Sequence, residues 1–155
     1  MSDRKGWRGY VSSRAIDGNI IPQRVQNLVI RTYAKNRGML YLLSATEYYM
    51  YGCYMMLRAT VAELQDLRGI IFYSMGQLPE APDLRREIYD QVLHQGGELH
   101  FALEELRVAD EQDIQLIEDT ITCKHLAATS EATAAALKGF EGFVGGRSPQ
   151  PQEPT

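Results

Sequence analysis

The chain has 155 residues, which is the usual length of one globular domain. Its composition is 45% hydrophobic and 23% charged, as in ordinary soluble proteins with a sizeable core. The formal net charge of −4 argues against a protein that binds nucleic acid through a broad positive surface, although a local basic patch is still allowed.

Segments that target a chain to a membrane or to secretion are not predicted. The sequence has no run of about 18 apolar residues, as a transmembrane helix requires. The start, MSDRKGWRGY, has charges but not the apolar stretch of a signal peptide. Cys53 and Cys123 match no metal-binding spacing, so we expect reduced thiols and a cytoplasmic protein.

Strands and helices alternate along the chain. In chain order we predict strand 7–13, helix 21–38, strand 39–47, helix 52–69, strand 69–74, a helix that begins near Pro82, strand 98–106 and a helix of about 110–138. Pro22 suits a first helical turn and Gly38 a helix end. The tail 145–155 is rich in Gly, Pro and polar residues, which predicts disorder.

This alternation predicts one α/β domain, residues 1–144. Its mostly parallel, doubly wound sheet has flavodoxin-like or resolvase-like order, with the first strand between the second and the third, and a C-terminal helix follows. Ile114, Ile117 and Ile121 form one apolar stripe on that helix, while Leu116 and Leu126 lie off it. The pattern is compatible with a homodimer through this helix, or with one face that only packs on the sheet.

Ligands of such sheets bind outside the carboxyl ends of the strands. The four predicted strands end in polar residues there, the fourth in Glu104 and Glu105, and the helix after the first strand begins with more of them. The candidate binding residues are Ser12, Arg14, Gln23, Arg24, Asn27, Ser44, Tyr48, Tyr73, Ser74 and Gln77. The amino ends of the strands have no comparable set, so we expect one pocket at the carboxyl ends.

The turn after the first strand resembles an anion-binding corner. A helix N-terminus favours an anion by roughly 0.3–1 kcal/mol, and Arg14 and Arg24 can add bidentate contacts. The alternative is that the serines merely end a strand and that Arg24 is a solvated helix residue.

Catalysis at this corner would need a base and a nucleophile or proton donor. Glu47 is the candidate base, because a carboxyl group buried near Tyr48 and Tyr73 holds a proton more readily, and Ser13 is the second candidate catalytic residue. An ion pair would equally explain Glu47. His100, in a predicted strand beside Glu98, is better explained as a half-buried structural histidine. The sequence has no metal-ligand spacing and no nucleotide-binding motif, so no metal and no cofactor are expected.

The stretch EYYMYGCYMM, residues 47–56, is dense in tyrosine and methionine. It predicts either a loop that packs on the core or a wall on which sugar rings stack.

Four segments closely resemble the family called sporadic carbohydrate cluster proteins. They are GYVSSRAIDGNIIPQRVQNLVIRTYAKNRG, YLLSATEYYMYGCYMML, GIIFYSMGQLP and GGELHFALEEL, within about residues 7–120. The resemblance implies a role in the biosynthesis of unusual sugars or surface glycans and leaves the reaction open.

The chain also resembles, more faintly, the catalytic domain of serine recombinases. A first strand with a tyrosine and a serine leads to a helix that contains glutamine, and a long C-terminal helix ends the pattern. When Tyr10 is aligned with the recombinase tyrosine, Arg14 falls at the nucleophile's place and Ser13 one residue before it. The turn SMGQLPEAP has no arginine where the family has an arginine-rich turn. This resemblance implies a fold and argues against strand exchange.

The leading hypothesis is a small cofactor-independent enzyme, an isomerase, epimerase or lyase, whose ligand is a sugar phosphate or nucleotide sugar. The second is a non-catalytic protein that binds a sugar or a partner enzyme. The third, least favoured because of the acidic composition, is a degenerate recombinase-like DNA-binding protein. On the first two hypotheses nucleic acid is not an expected partner, and on none of the three is a membrane.

Overall fold

The computed structural model describes residues 3–48 and 52–144. The chain divides into two compact units, residues 1–117 and 118–155. The first unit contains the sheet and the helices around it. The described part of the second unit is the continuation of the last helix. The predicted disordered tail, 145–155, lies outside the described residues.

A five-stranded sheet forms the centre of the first unit. Its strands are β1 (Trp7–Ser12), β2 (Ala45–Glu47), β3 (Gly69–Phe72), β4 (Glu98–Phe101) and β5 (Leu106–Val108). The order is β2-β1-β3-β4-β5, parallel except for the antiparallel β5. The predicted α/β class and the position of the first strand between the second and the third are therefore confirmed.

Four α-helices accompany the sheet, and a short 3-10 helix, Met75–Gln77, follows β3. They are α1 (Gln23–Asn36), α2 (Met55–Ala62), α3 (Pro82–His94) and α4 (Glu111–Val144). Each was expected, but α1 and α2 are shorter than predicted. Among the described residues, none of these helices is long and apolar enough to cross a membrane.

Two expected strands differ from the structure at their ends. The run 39–47 is a strand only in its last three residues, and its earlier part makes an isolated bridge from Tyr41 to Trp7. The run 98–106 is not one strand, because the chain turns over 102–105 and returns as β5. Glu105 makes this turn possible by adopting a left-handed backbone conformation, with φ of 56°.

The two faces of the sheet bury different side chains, as the alternation along each strand requires. On one face, Tyr10, Phe72 and Phe101 form a row of rings with centroids 5.0 and 5.2 Å apart. On the other, Trp7 and Ile71 belong to a buried cluster that includes residues of α1. Both faces are thus covered, as a doubly wound sheet demands.

The last helix begins as predicted. Asp110 accepts a hydrogen bond from the Asp113 backbone N–H (2.9 Å), which is an N-terminal cap. Ile114 and Ile117 are buried within the first unit, and Leu116 is half exposed. Ile121 is half-buried and Leu126 is 66% exposed, so self-association through this helix stays a prediction.

Candidate functional site

The carboxyl ends of β1, β2 and β3 lie together, as the sheet order requires. That the predicted side chains there line one pocket stays a prediction. They divide into three hydrogen-bonded groups in which most polar atoms bind other protein atoms. The physical reason is that buried polar groups must be satisfied, and in this chain they satisfy one another.

The first group is centred on Ser12, which is fully buried. The Gln26 side chain accepts a hydrogen bond from the Ser12 backbone N–H (2.9 Å) and donates one to the Ser12 carbonyl (2.7 Å). The Gln77 amide donates to the Ser12 hydroxyl (3.1 Å) and to the Gln26 side-chain oxygen (3.2 Å). Ser12 thus helps to join β1, α1 and the 3-10 helix and does not face a ligand.

The same group continues to Ser74, which is also fully buried. Gln77 accepts from the Ser74 backbone N–H (3.1 Å), and the Ser74 hydroxyl donates to a Glu104 carboxylate oxygen (2.6 Å). That hydroxyl also accepts from the Gly76 N–H (3.1 Å) and caps the 3-10 helix. Ser74 therefore links the end of β3 to the β4–β5 turn, and Gln77 links the same segment to Ser12 and Gln26.

The second group joins the turn after β1 to the start of α2. The Arg14 guanidinium donates to the Tyr10 hydroxyl (2.9 Å) and to the Cys53 carbonyl (2.9 Å), and it lies 4.1 Å from the centre of the Tyr54 ring. Tyr10 in turn donates to the Glu47 carboxylate (3.0 Å). Burial, as the largest cause, raises the pKa of Tyr10 well above its usual range, so its proton stays in this bond.

Glu47 is buried, as expected, but its carboxylate is fully engaged. It accepts hydrogen bonds from the backbone N–H groups of Met56 (3.1 Å) and Leu57 (3.0 Å) at the N-terminus of α2, besides that of Tyr10. A carboxylate in this position is stabilised by the free N–H groups and dipole of the helix. These contacts account for Glu47 as an anchor for α2, and its role as a base stays a prediction.

Ser13, the other candidate catalytic residue, is half-buried beside Glu47. Its backbone N–H (3.1 Å) and its hydroxyl (3.3 Å) both donate to the Glu47 carbonyl. Glu47 therefore lies next to the Ser12–Arg14 turn, as the single-site hypothesis requires. The Glu47 carboxylate oxygens, by contrast, bind Tyr10 and the start of α2.

The third group lies on the flank of α1. Asn27 accepts hydrogen bonds from the hydroxyls of Ser44 (2.7 Å) and Tyr41 (3.2 Å) and donates to the Gln23 carbonyl (3.2 Å). This group holds the α1–β2 connection against α1. None of these hydrogen bonds reaches the Ser12 group.

The remaining candidates are spread over the surface and the core. Arg24 is exposed in the first turn of α1, and Tyr48 is 74% exposed. Tyr73 lies in the buried cluster on the α1 face, so it is a core residue and not a wall of a cleft. Part of the expected tyrosine wall, 49–51, lies outside the described residues.

Sequence reasoning missed Gln26 and assigned no role to Glu104. Gln26 is fully buried and shares the inward stripe of α1 with Ile30 and Tyr33. A polar residue on an apolar stripe at helical spacing was the available signal. Glu104 was expected at the end of the fourth strand, but its contacts with Ser74 and the Met75 N–H arise from the unforeseen β4–β5 turn.

His100 is the structural histidine that the sequence indicated. Nε2 donates to Glu98 (2.9 Å), and Nδ1 accepts from the Tyr33 hydroxyl (2.7 Å). Its ring also meets Trp7 edge-on, with centroids 4.7 Å apart. Across residues 3–48 and 52–144, the structure has no group of three His, Cys, Asp or Glu side chains that could hold a metal ion.

Comparison with known proteins identifies solved structures with a similar fold. No family model matches the chain, and no curated protein matches it. The N-terminal catalytic domain of TP901-1 integrase is similar in structure, with a TM-score of 0.54 at 11% identity over 80% of this chain and 98% of that one. A resolvase family site-specific recombinase from Streptococcus pneumoniae is similar with a TM-score of 0.57 at 7% identity, over 86% and 98%.

These likenesses correct the leading hypothesis. Both similar structures are recombinase domains, not sugar isomerases or lyases. The expectations of a carbohydrate-biosynthesis enzyme, of a sugar phosphate or nucleotide sugar as ligand, and of no nucleic-acid partner are wrong, and the resemblance to sporadic carbohydrate cluster proteins finds no support. The chain has the resolvase-like α/β fold, as the fainter resemblance implied.

Proposed function

We propose that this chain is a DNA-binding protein that uses the recombinase catalytic-domain fold without cleaving DNA. The observation that carries the proposal is the likeness to two recombinase domains over 98% of each. Since their identities to this chain are low, that likeness supports the scaffold, and the chemistry has to be argued from this chain's own residues. The compartment we propose is the cytoplasm, as expected from the sequence.

The turn after β1 supports binding without cleavage. Arg14 takes the place in the sequence that the family's nucleophile occupies, and its guanidinium is held by Tyr10 and Cys53. Ser12 is fully buried, and Ser13 binds the Glu47 carbonyl. A serine nucleophile needs a base within hydrogen-bond reach, and each of these hydroxyls is committed to another partner.

The same turn suits contact with a phosphate. Arg14 is only partly buried, and the Tyr54 ring orients its guanidinium. Arg24 is exposed at the start of α1, where free N–H groups favour an anion. Because the net charge is −4, attraction to DNA must come from such local arginines, and the number of phosphates contacted should be small.

Binding to a fluorescent duplex, followed by anisotropy over a range of salt concentrations, tests the proposal. We expect affinity to fall with salt with a slope of roughly −0.9 per phosphate contact. Arg24→Ala should weaken binding and reduce that slope by about one contact. Arg86→Ala is the matched control, because Arg86 already pairs with Asp90 and Glu111 on α3 and α4.

Two results would contradict the proposal. One is no detectable binding to duplex DNA at low salt, with the wild-type chain folded. The other is binding that Arg24→Ala and Arg86→Ala weaken equally, since that would show a general charge effect and no local site.

A further inference from the structure

A cleft of about 800 Å³ lies at the amino ends of the strands, opposite the turn discussed above. It is formed by residues 3–7, by the α1–β2 connection and by Arg68 just before β3. Its volume is in the range of small-molecule sites. The expectation that the amino ends carry no comparable set of residues is therefore wrong, because segments far apart in sequence meet there.

Backbone hydrogen bonds hold the walls of this cleft in place. The Trp7 N–H donates to the Leu40 carbonyl (2.9 Å), and the Leu42 N–H donates to the Trp7 carbonyl (2.7 Å). The Arg68 N–H donates to the Gly6 carbonyl (2.8 Å). Gly6 has φ of 128°, and a Cβ there would lie 2.6 Å from the Leu40 carbonyl oxygen, so only glycine permits this approach.

The cleft is strongly basic. Its lining includes four cations, Arg4, Lys5, Arg37 and Arg68, and one carboxylate, Asp3. This is a local excess of positive charge in a chain whose net charge is −4. Neighbouring cations in a concave site focus their field on an anionic ligand.

Two of these four cations bind other groups of the protein, and the other two form no ion pair among the described residues. Arg4 donates to carbonyls at the end of α3, and Arg37 stacks 3.7 Å from the centre of the Tyr33 ring and pairs with Glu105. Within residues 3–48 and 52–144, Lys5 and Arg68 form no ion pair with a carboxylate. They are therefore the groups that are available to an anion.

The other lining residues are apolar or are glycines. They include Trp7, Met39, Leu40 and Leu42, and Leu40 is 64% exposed. None of the residues that line the cleft carries a hydroxyl or amide side chain. The apolar part of the cleft therefore suits a flat heterocycle better than a ring with many hydroxyl groups.

We propose that this cleft binds a nucleotide, with Lys5 and Arg68 on the phosphate and the base over Leu40. The same chemistry is offered by a free nucleoside monophosphate and by the 5′-phosphorylated end of a nucleic acid strand. The cleft lies at the other end of the sheet from Arg14 and Arg24. Nucleotide binding in the cleft can therefore be tested independently of DNA binding at that turn.

Titration calorimetry with four probes tests this inference. The probes are AMP, inorganic phosphate, and a short single-stranded oligonucleotide with and without a 5′-phosphate. We expect AMP to bind more tightly than inorganic phosphate, because the apolar surface contributes. If the 5′-phosphorylated strand binds at least tenfold more tightly than AMP, the ligand is a strand end; if it does not, the ligand is a free nucleotide.

Variants then locate the site. The double variant Lys5→Ala, Arg68→Ala should weaken binding of AMP at least tenfold. Leu40→Asp should weaken binding of AMP more than it weakens binding of inorganic phosphate. Arg86→Ala removes one positive charge outside the cleft and should leave the affinity for AMP unchanged. Thermal melting of each variant reports whether it is folded.

Three outcomes would overturn the inference. The first is no binding of AMP or of the phosphorylated strand at millimolar concentration. The second is equal affinity for AMP and inorganic phosphate. The third is an unchanged affinity for AMP in a folded double variant. Failure of duplex binding in the anisotropy experiment would leave this inference intact.

Discussion

Gln26 and Gln77 are the side chains on which the carboxyl-end architecture depends most. Both are buried, and together they contact the backbone of β1, the hydroxyl of Ser12 and the backbone N–H of Ser74. A buried network of this kind specifies one arrangement of its elements, because every alternative leaves a polar group unsatisfied. It therefore ties β1, α1 and the 3-10 helix into one unit.

Gln77→Leu tests this network. The substitution keeps a similar volume but leaves the Ser74 N–H and the Ser12 hydroxyl without their partner. We expect a loss of roughly 1–3 kcal/mol in the free energy of unfolding, measured by urea denaturation. Gln91→Leu, on the exposed surface of α3, is the matched control. It should change the free energy of unfolding by less than about 0.5 kcal/mol. Equal effects would show that Gln77 does not hold the network.

Glu47→Gln distinguishes an anchor from a base. The amide can accept fewer hydrogen bonds than the carboxylate, and its NH₂ would face the donors Met56, Leu57 and Tyr10. We expect a loss of about 1.5–3 kcal/mol in the free energy of unfolding, the range for hydrogen bonds to a charged group. Glu63→Gln removes a surface ion pair with Arg8 and should cost less than about 1 kcal/mol. An unaltered free energy of unfolding in Glu47→Gln would refute the anchor role.

His100 should make stability depend on pH. Burial lowers the pKa of its ring, Glu98 opposes this, and the nearby Arg107 and Arg37 add to it. Above the unfolded pKa of about 6.5, both states are neutral and His100 contributes no pH dependence. As the pH falls below that value the unfolded state takes up a proton first, so the free energy of unfolding falls by at most about 1.4 kcal/mol per pH unit. The fall ends at the folded pKa.

The measurement is the difference in free energy of unfolding between pH 7.5 and pH 5.5. His100→Asn should reduce this difference, whatever its effect on overall stability, whereas exposed His94→Asn should reduce it less. The same pH dependence in the wild type and in His100→Asn would exclude His100 as its source.

The β4–β5 hairpin depends on a backbone conformation that glycine adopts more easily. Glu105 has φ of 56°, and the left-handed region costs a side-chain-bearing residue roughly 1–2 kcal/mol. Its pairing with Arg37, at 3.5 Å and exposed, contributes little in return. The turn therefore carries strain that its own ion pair does not offset.

Glu105→Gly should raise the melting temperature relative to Glu105→Ala. Both variants lose the ion pair, but only glycine relieves the left-handed strain, and we expect about 1 kcal/mol between them. Thermal denaturation of the two variants under one buffer condition measures this difference. If alanine is as stable as glycine, the turn is not strained at this position.

The molecule as a whole should bind DNA without forming a covalent link to it. The hydroxyls of Ser12 and Ser13 are hydrogen-bonded to other protein groups. Incubation with a nicked duplex, followed by denaturing electrophoresis, should show no protein–DNA adduct. An adduct that disappears in Ser12→Ala or in Ser13→Ala would contradict this expectation.

Hydrophobic periodicity determined the kind and order of the elements. The inward stripe of α1 and the apolar run of β3 are local patterns. Such patterns specify a helix or a strand where the tertiary packing favours the same structure. The alternation of strands and helices, together with the recombinase-like pattern, then predicted the first strand between the second and the third. The short β5, Leu106–Val108, was missed because three residues are too few for a period to be detected.

The direction in which polar side chains point was decided only by the tertiary structure. A serine at a strand end gives the same sequence pattern whether its hydroxyl faces a ligand or, like that of Ser12, the buried amide of Gln77. Sequence alone determined that polar residues would gather at the carboxyl ends. Folding decided that they satisfy one another there, because a buried polar group is costly until it is paired, and that Lys5 and Arg68, which lie far apart in the chain, meet in an open basic cleft at the other end.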